Sequence, residues 1–195
     1  MTYLNNFSDK NSLELFIDEI EKSIEAKNYL IALHMALTIP DMLGKIVYKH
    51  LNVFERYKKW FDENVVETIS GQLYSENPLT LPSDFPEMNG TVCYLLRCKF
   101  FHEGINDINC EKANSVDEFV LSFTDSDFVN GQSAGYIAEE CDNGEKLYYN
   151  KYLYVSCKGL CKEIIYAAKA FMINNPNLKY PKIRVNSEGG KYLLF

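Results

Sequence analysis

Residues Asp84 to Gly104, DFPEMNGTVCYLLRCKFFHEG, constrain the fold more than any other stretch, because they read as a helix with both ends written in. Asp84 can cap the first turn, Pro86 is tolerated where its missing N–H would have no partner, and Glu87 stands three residues after the cap as in a capping box. Gly104 closes the helix. Between those ends Val92, Cys93, Tyr94, Leu95, Leu96, Phe100 and Phe101 point in nearly every direction, the pattern expected of a helix surrounded by protein. Arg97, Lys99 and His102 are then polar groups on a mostly buried rod, a placement that costs on the order of several kcal/mol unless each is paired or reaches water. At about 100° per residue Arg97 and His102 project roughly 140° apart, whereas Cys98 and His102 share a face. A joint site for the arginine and the histidine needs a frayed helix end, a long reach by the arginine, or a second copy of the helix.

The flanking sequence supplies a helical frame for this rod. Leu13, Phe16, Ile17, Ile20 and Ile24 recur at helical spacing after Asn11 or Ser12 as cap. Residues 30–39 are almost wholly apolar, and Thr38-Ile39-Pro40-Asp41 restarts a helix through Met42, Leu43, Ile46 and Val47. Val53, Phe54, Tyr57, Trp60, Phe61 and Val65 mark an amphipathic helix that turns the only tryptophan inward. After Gly104 the period changes: Phe119, Leu121 and Phe123 alternate, 135–139 suit a short strand, and Asp142-Asn143-Gly144 is a hairpin turn before 147–155. Tyr148, Tyr152 and Tyr154 share a face of that last strand, which can stack bases or pack on a helix. Ser156 can cap a final helix carrying Leu160, Ile164, Ile165, Ala168 and Phe171. The expected fold is therefore mainly α, a helical bundle with a small antiparallel β insertion at about 116–155 before the last helix. One domain spans 1–175, followed by a C-terminal tail, 176–195.

Charge and residue inventory narrow the chemistry. The net charge of −7 works against broad nucleic-acid affinity, and DNA binding is not expected. The balance is uneven, since 176–195 carry a local +3 through Lys179, Lys182, Arg184 and Lys191 against Glu188. No apolar run reaches the roughly 18 residues that span a bilayer and the N-terminus lacks a leader pattern, so a cytoplasmic protein without a membrane segment is expected. The six cysteines, scattered through apolar segments, read as reduced thiols. No metal and no cofactor is expected, and the phosphate-cradling and dinucleotide glycine motifs are absent. Of the three histidines, His34 reads as a satisfied core residue and His50 as a favourable charge at a helix C-terminus. His102 alone has a neighbourhood that calls for a mechanism. A thiol hydrolase with Cys98 as nucleophile and His102 as base fits i,i+4 geometry but has no evident oxyanion donor.

Arg97-Cys98-Lys99-Phe100-Phe101-His102 resembles the R-x4-H motif of the HEPN superfamily, small helical proteins many of which are metal-independent ribonucleases of toxin, antiviral and RNA-processing systems. The resemblance implies a HEPN-like bundle, a homodimer with the motif helix at its interface, RNA as substrate, and in toxin systems a neutralising protein partner. It further implies Arg97 and His102 as catalytic residues, cutting RNA by 2′-hydroxyl attack to leave a 2′,3′-cyclic phosphate. Lys99 would hold the substrate backbone, and Cys98 and Glu103 would support the pair. The residue types suit that chemistry, since an imidazole exchanges protons near neutral pH and a guanidinium holds two phosphate oxygens. Cys98 departs from the family, which usually has a polar residue there, most often asparagine. The alternative expectation is accordingly a non-catalytic HEPN-like dimerisation or partner-binding module.

Overall fold

Apolar residues at helical spacing dictate most of the architecture. The computed structural model describes residues 7–66, 88–104, 116–123, 132–139 and 148–186. Helix α1, Ser12–Glu25, buries Leu13, Ile17 and Ile20, and Asn11 is its cap, with Oδ1 accepting from the Leu13 N–H at 3.0 Å. Ser12 does something else: its N–H and its hydroxyl both donate to the Pro181 carbonyl at 2.9 Å. The helix ends with Lys27 at φ 58, a left-handed position that usually falls to glycine.

Helices α2, Tyr29–Ala36, and α3, Ile39–Val47, divide the long apolar stretch at Thr38, whose hydroxyl donates to the Met35 carbonyl at 2.7 Å. Pro40 falls in the first turn of α3, where a missing N–H costs nothing. By length and composition Tyr29–Val47 is apolar enough to cross a membrane, contrary to the expectation that no run is. Ala32, Leu33, Ala36, Leu37, Ile39 and Leu43 of this stretch are fully buried, while Leu30, Ile31 and Val47 are exposed.

Helix α4, Val53–Phe61, is capped by Asn52 and buries Tyr57, Trp60 and Phe61 completely before running into a π-helical turn, Asp62–Val66. Glycine lets its neighbours approach: a Cβ on Gly44 of α3 would lie 2.7 Å from the Arg56 carbonyl oxygen of α4. Helix α5, Gly90–Cys98, carries the motif arginine and continues into a second π-helical turn, Lys99–Glu103. Met88 and Asn89 are not helical, so the expected start at Asp84 is corrected: Asn89, with extended backbone, is the cap and accepts from the Val92 N–H at 3.0 Å. Asp84, Pro86 and Glu87 lie outside the described residues.

The β region is a three-stranded mixed sheet in the order β2–β4–β3, formed by β2, Glu118–Ser122, β3, Gln132–Glu139, and β4, Tyr148–Ser156. Strands β3 and β4 pair antiparallel as adjacent strands in sequence do, with Glu139 opposite Tyr148; the turn at 142–144 lies outside the described residues. Strand β2 pairs parallel to β4, Phe119 opposite Leu153 and Leu121 opposite Val155, which corrects the antiparallel expectation. The reason is the detour through β3, which takes the outer place beside β4 and lets β4 return in the direction of β2. Phe119, Leu153 and Val155 are buried, and β4 passes directly into α6, Cys157–Asn174, capped by Ser156 through the Gly159 N–H at 3.1 Å. Tyr154 faces outward, 38% exposed.

Part of the expected tail is ordered structure. Strand β5, Lys182–Asn186, pairs antiparallel with β1, Phe7–Asn11, so that Phe7 stands opposite Asn186 and Asn11 opposite Lys182. Residues 187–195 lie outside the described residues.

Candidate active site

The motif helix is held by its start. The Gly90 N–H donates to Asp62 Oδ1 at 2.6 Å, and Gly90 lies so close to α4 that a Cβ there would stand 2.4 Å from the Lys58 carbonyl oxygen. From this anchor Val92, Cys93, Leu95 and Leu96 turn into the core, while Tyr94, Arg97, Cys98, Lys99, Phe100 and Phe101 are half-buried. The expectation of a helix enclosed on all sides is thereby corrected: its C-terminal half has an open face, and Arg97 reaches water without crossing the core.

Beneath Arg97 lies an aromatic shelf. Its guanidinium carbon stands 5.9 Å from the centroid of the Tyr57 ring, a distance at which a cation is drawn to a π face. Tyr57 meets the Tyr94 ring edge to face at 5.4 Å, and Tyr94 meets Phe54 likewise at 5.1 Å. The Tyr57 hydroxyl donates to the Leu37 carbonyl at 3.1 Å and shares a 3.4 Å contact with the Cys93 thiol. Burial raises the Tyr57 phenol well above its ordinary value and pushes the Cys93 thiol up to about 12. Both are neutral at physiological pH, so neither cancels the charge of the arginine above them. Tyr94 is also raised, by burial first and then by its hydrogen bond with Cys98.

Two acids, Asp41 and Glu103, are each engaged with another cation. Asp41 Oδ1 accepts from both Arg56 Nη2 at 2.8 Å and Nε at 2.9 Å, tying α3 to α4. Glu103 pairs with Lys99 Nζ at 2.8 Å across the π-helical turn. Lys99 and Glu103, expected respectively to hold substrate and to support the pair, thus hold each other. Among the described residues the Arg97 side chain has no ion pair or hydrogen bond, only its contact with Tyr57.

The π-helical turn changes the relation between positions 97 and 102. Bonds from i to i+5 wind more residues into each turn than an α-helix does, so position 102 comes nearer to overlying position 97 than the roughly 140° of ideal α geometry. Gly104, at φ 70, ends the turn as expected, its N–H returning to the Phe100 carbonyl at 3.2 Å. The structure therefore gathers Arg97, Cys98, Lys99, Glu103 and the backbone of His102 on one helix end.

Sequence reasoning missed His34. It is exposed on the outer side of α2, not buried, and its ring meets Phe101 edge to face with centroids 4.3 Å apart. Tyr29, Ala32, Leu33 and Ala36 make the inner stripe of α2, leaving Leu30, Ile31 and His34 outward. A helix apolar nearly all round hides which stripe faces in. An open groove of about 530 Å³ at the start of α2 is lined by residues 27–31 and Phe123, none of them from the motif. Among the described residues no cluster of three or more His, Cys, Asp or Glu side chains is arranged to hold a metal ion.

No protein-family model matches the chain, and no curated protein and no solved structure matches it. The resemblance to the HEPN superfamily accordingly stands on the Arg97-to-His102 residues and the helical setting that carries them.

Proposed function

We propose that this protein is a metal-independent endoribonuclease of HEPN type, with Arg97 and His102 as its catalytic residues. The observation that carries the reading is the half-exposed Arg97, whose side chain has no ion pair or hydrogen bond among the described residues. An arginine kept for structure alone would be expected to take a carboxylate, yet Asp41 pairs with Arg56 and Glu103 with Lys99. A cation seated on an aromatic shelf and facing solvent is suited to the non-bridging oxygens of a phosphodiester.

In this reading His102 takes the proton from a ribose 2′-hydroxyl, the 2′-oxygen attacks phosphorus, and Arg97 holds the extra negative charge of the pentacoordinate transition state. The products are a 2′,3′-cyclic phosphate and a 5′-hydroxyl. Two protomers with their motif helices together would give each substrate two copies of the pair, so activity is expected only from the dimer. The deciding experiment is cleavage of tRNA and total RNA in EDTA by wild type, Arg97→Ala and His102→Ala, each shown to be folded by circular dichroism. Cyclic-phosphate ends that vanish in both variants support the reading. A dimeric, folded wild type that cuts no RNA refutes it.

One observation favours a non-catalytic module instead. Cys98 stands where the family usually places a polar residue and is hydrogen-bonded to Tyr94, which draws it toward the shelf and away from a substrate. In that case the same helix end serves as a dimerisation or partner-binding surface, and the silent outcome of the cleavage assay is the expected one.

A further inference from the structure

Cleavage by 2′-oxygen attack leaves one role unfilled. When the 2′-oxygen attacks, the P–O5′ bond breaks, and the departing 5′-oxygen needs a proton because an alkoxide is a poor leaving group at neutral pH. His102, acting as base in the same step, is taking up a proton and cannot also give one. A second group is required, either the other protomer's copy of the motif histidine or another side chain beside the motif.

We propose that His34 is that group, the general acid that protonates the 5′-oxygen of a single-stranded RNA substrate; the proposal rests on the ribonuclease reading. Phe101, against which the His34 ring lies at 4.3 Å and 78°, is the residue next to His102 and four after Arg97. The imidazole is thus fixed beside the motif by a carbon contact, while its nitrogens have no hydrogen-bond or ion-pair partner among the described residues. It is also exposed, so a substrate can reach it. A histidine held for packing is expected to spend a nitrogen on a protein acceptor when its surroundings offer one; among the described residues this one has only its ring contact. The step balances without a co-reactant. The 2′-hydroxyl proton passes to His102, the O2′–P bond forms, the P–O5′ bond breaks, and the His34 imidazolium proton passes to O5′. Exchange with water resets both rings.

The test separates acid catalysis from support. An RNA oligonucleotide with one ordinary phosphodiester linkage is compared with the same oligonucleotide carrying sulfur in place of the bridging 5′-oxygen, whose thiolate departs without a proton. His34→Gln is expected to slow the ordinary linkage by about 10²- to 10⁴-fold and to leave the sulfur-bridged linkage near the wild-type rate. His102→Gln is expected to slow both. Equal losses on the two linkages in His34→Gln, or no loss on either, overturn the assignment of His34 while leaving the ribonuclease reading intact. A wild type that cuts neither linkage overturns both together. As a check against misfolding, added imidazole is expected to restore part of the rate on the ordinary linkage in His34→Ala, and failure to do so counts against the assignment.

Discussion

Replacing Gly90 by alanine should destabilise the protein by about 2–3 kcal/mol, although alanine is the better helix former. The new Cβ would stand 2.4 Å from the Lys58 carbonyl oxygen, 2.7 Å from its Cα and 2.9 Å from its carbonyl carbon. Relief requires α5 to retreat from α4 by roughly an ångström, since unstrained carbon contacts begin near about 3.5 Å. That retreat draws the Gly90 N–H off Asp62 Oδ1, now at 2.6 Å. Losing a hydrogen bond to a charged group costs about 1.5–3 kcal/mol, and the lower end applies because Asp62 is partly solvated. Overpacking adds about 1–3 kcal/mol and the gain in helix propensity returns about 1. The control is Gly104→Ala at the other end of the same helix, where nothing stands within 4 Å and only the left-handed backbone at φ 70 is strained, for about 1 kcal/mol. Urea unfolding followed by the fluorescence of Trp60, fully buried against Phe171, measures both. A Gly90→Ala protein within about 0.5 kcal/mol of wild type, or less destabilised than Gly104→Ala, would refute the close-approach argument.

Three further outcomes are expected. Lys27→Gly should raise stability by about 0.5–1 kcal/mol in the same urea assay, because the left-handed turn after α1 strains any residue with a Cβ. Asp62 is raised above the ordinary carboxyl value, chiefly by burial, so the folded state keeps its proton to higher pH than the unfolded chain. Between the ordinary and the raised value stability therefore falls as pH rises; Asp62→Asn, which keeps an acceptor for Gly90, should remove that slope and be the more stable protein above the window. Brief iodoacetamide treatment of the native protein at about pH 8, read by peptide mass spectrometry, should label Cys98 and spare Cys93, Cys157 and Cys161. The last three are buried and their thiols are raised by that burial.

The elements that period and capping define were legible before the structure. Leu13, Ile17 and Ile20 describe α1, and Thr38-Ile39-Pro40-Asp41 marks the break between α2 and α3. What escaped depends on partners distant in sequence. Asp84-x-Pro86-Glu87 reads in sequence as the start of the motif helix, but that helix begins at Asn89-Gly90, where only glycine fits against Lys58. The parallel pairing of β2 with β4 follows from where β3 lies, which no local pattern in 118–122 reveals. The widened turn at 99–103 has no signature in its residue types, and it alters the one angle on which the Arg97–His102 geometry depends. His34 was misjudged because its helix is apolar on both sides, so hydrophobicity could not say which side faces the protein.

The pairing of β1 with β5 has a mechanical side. Phe7 and Asn186 face each other at the outer end of the ladder, so tension on the chain leaving either strand falls on that first pair alone. The ladder would then open pair by pair, like a zipper. At its inner end stand the two bonds from Ser12 to the Pro181 carbonyl, where peeling would first meet a helix cap and the core behind it. Tension applied across the outer pair would therefore load this short ladder before it reached α1.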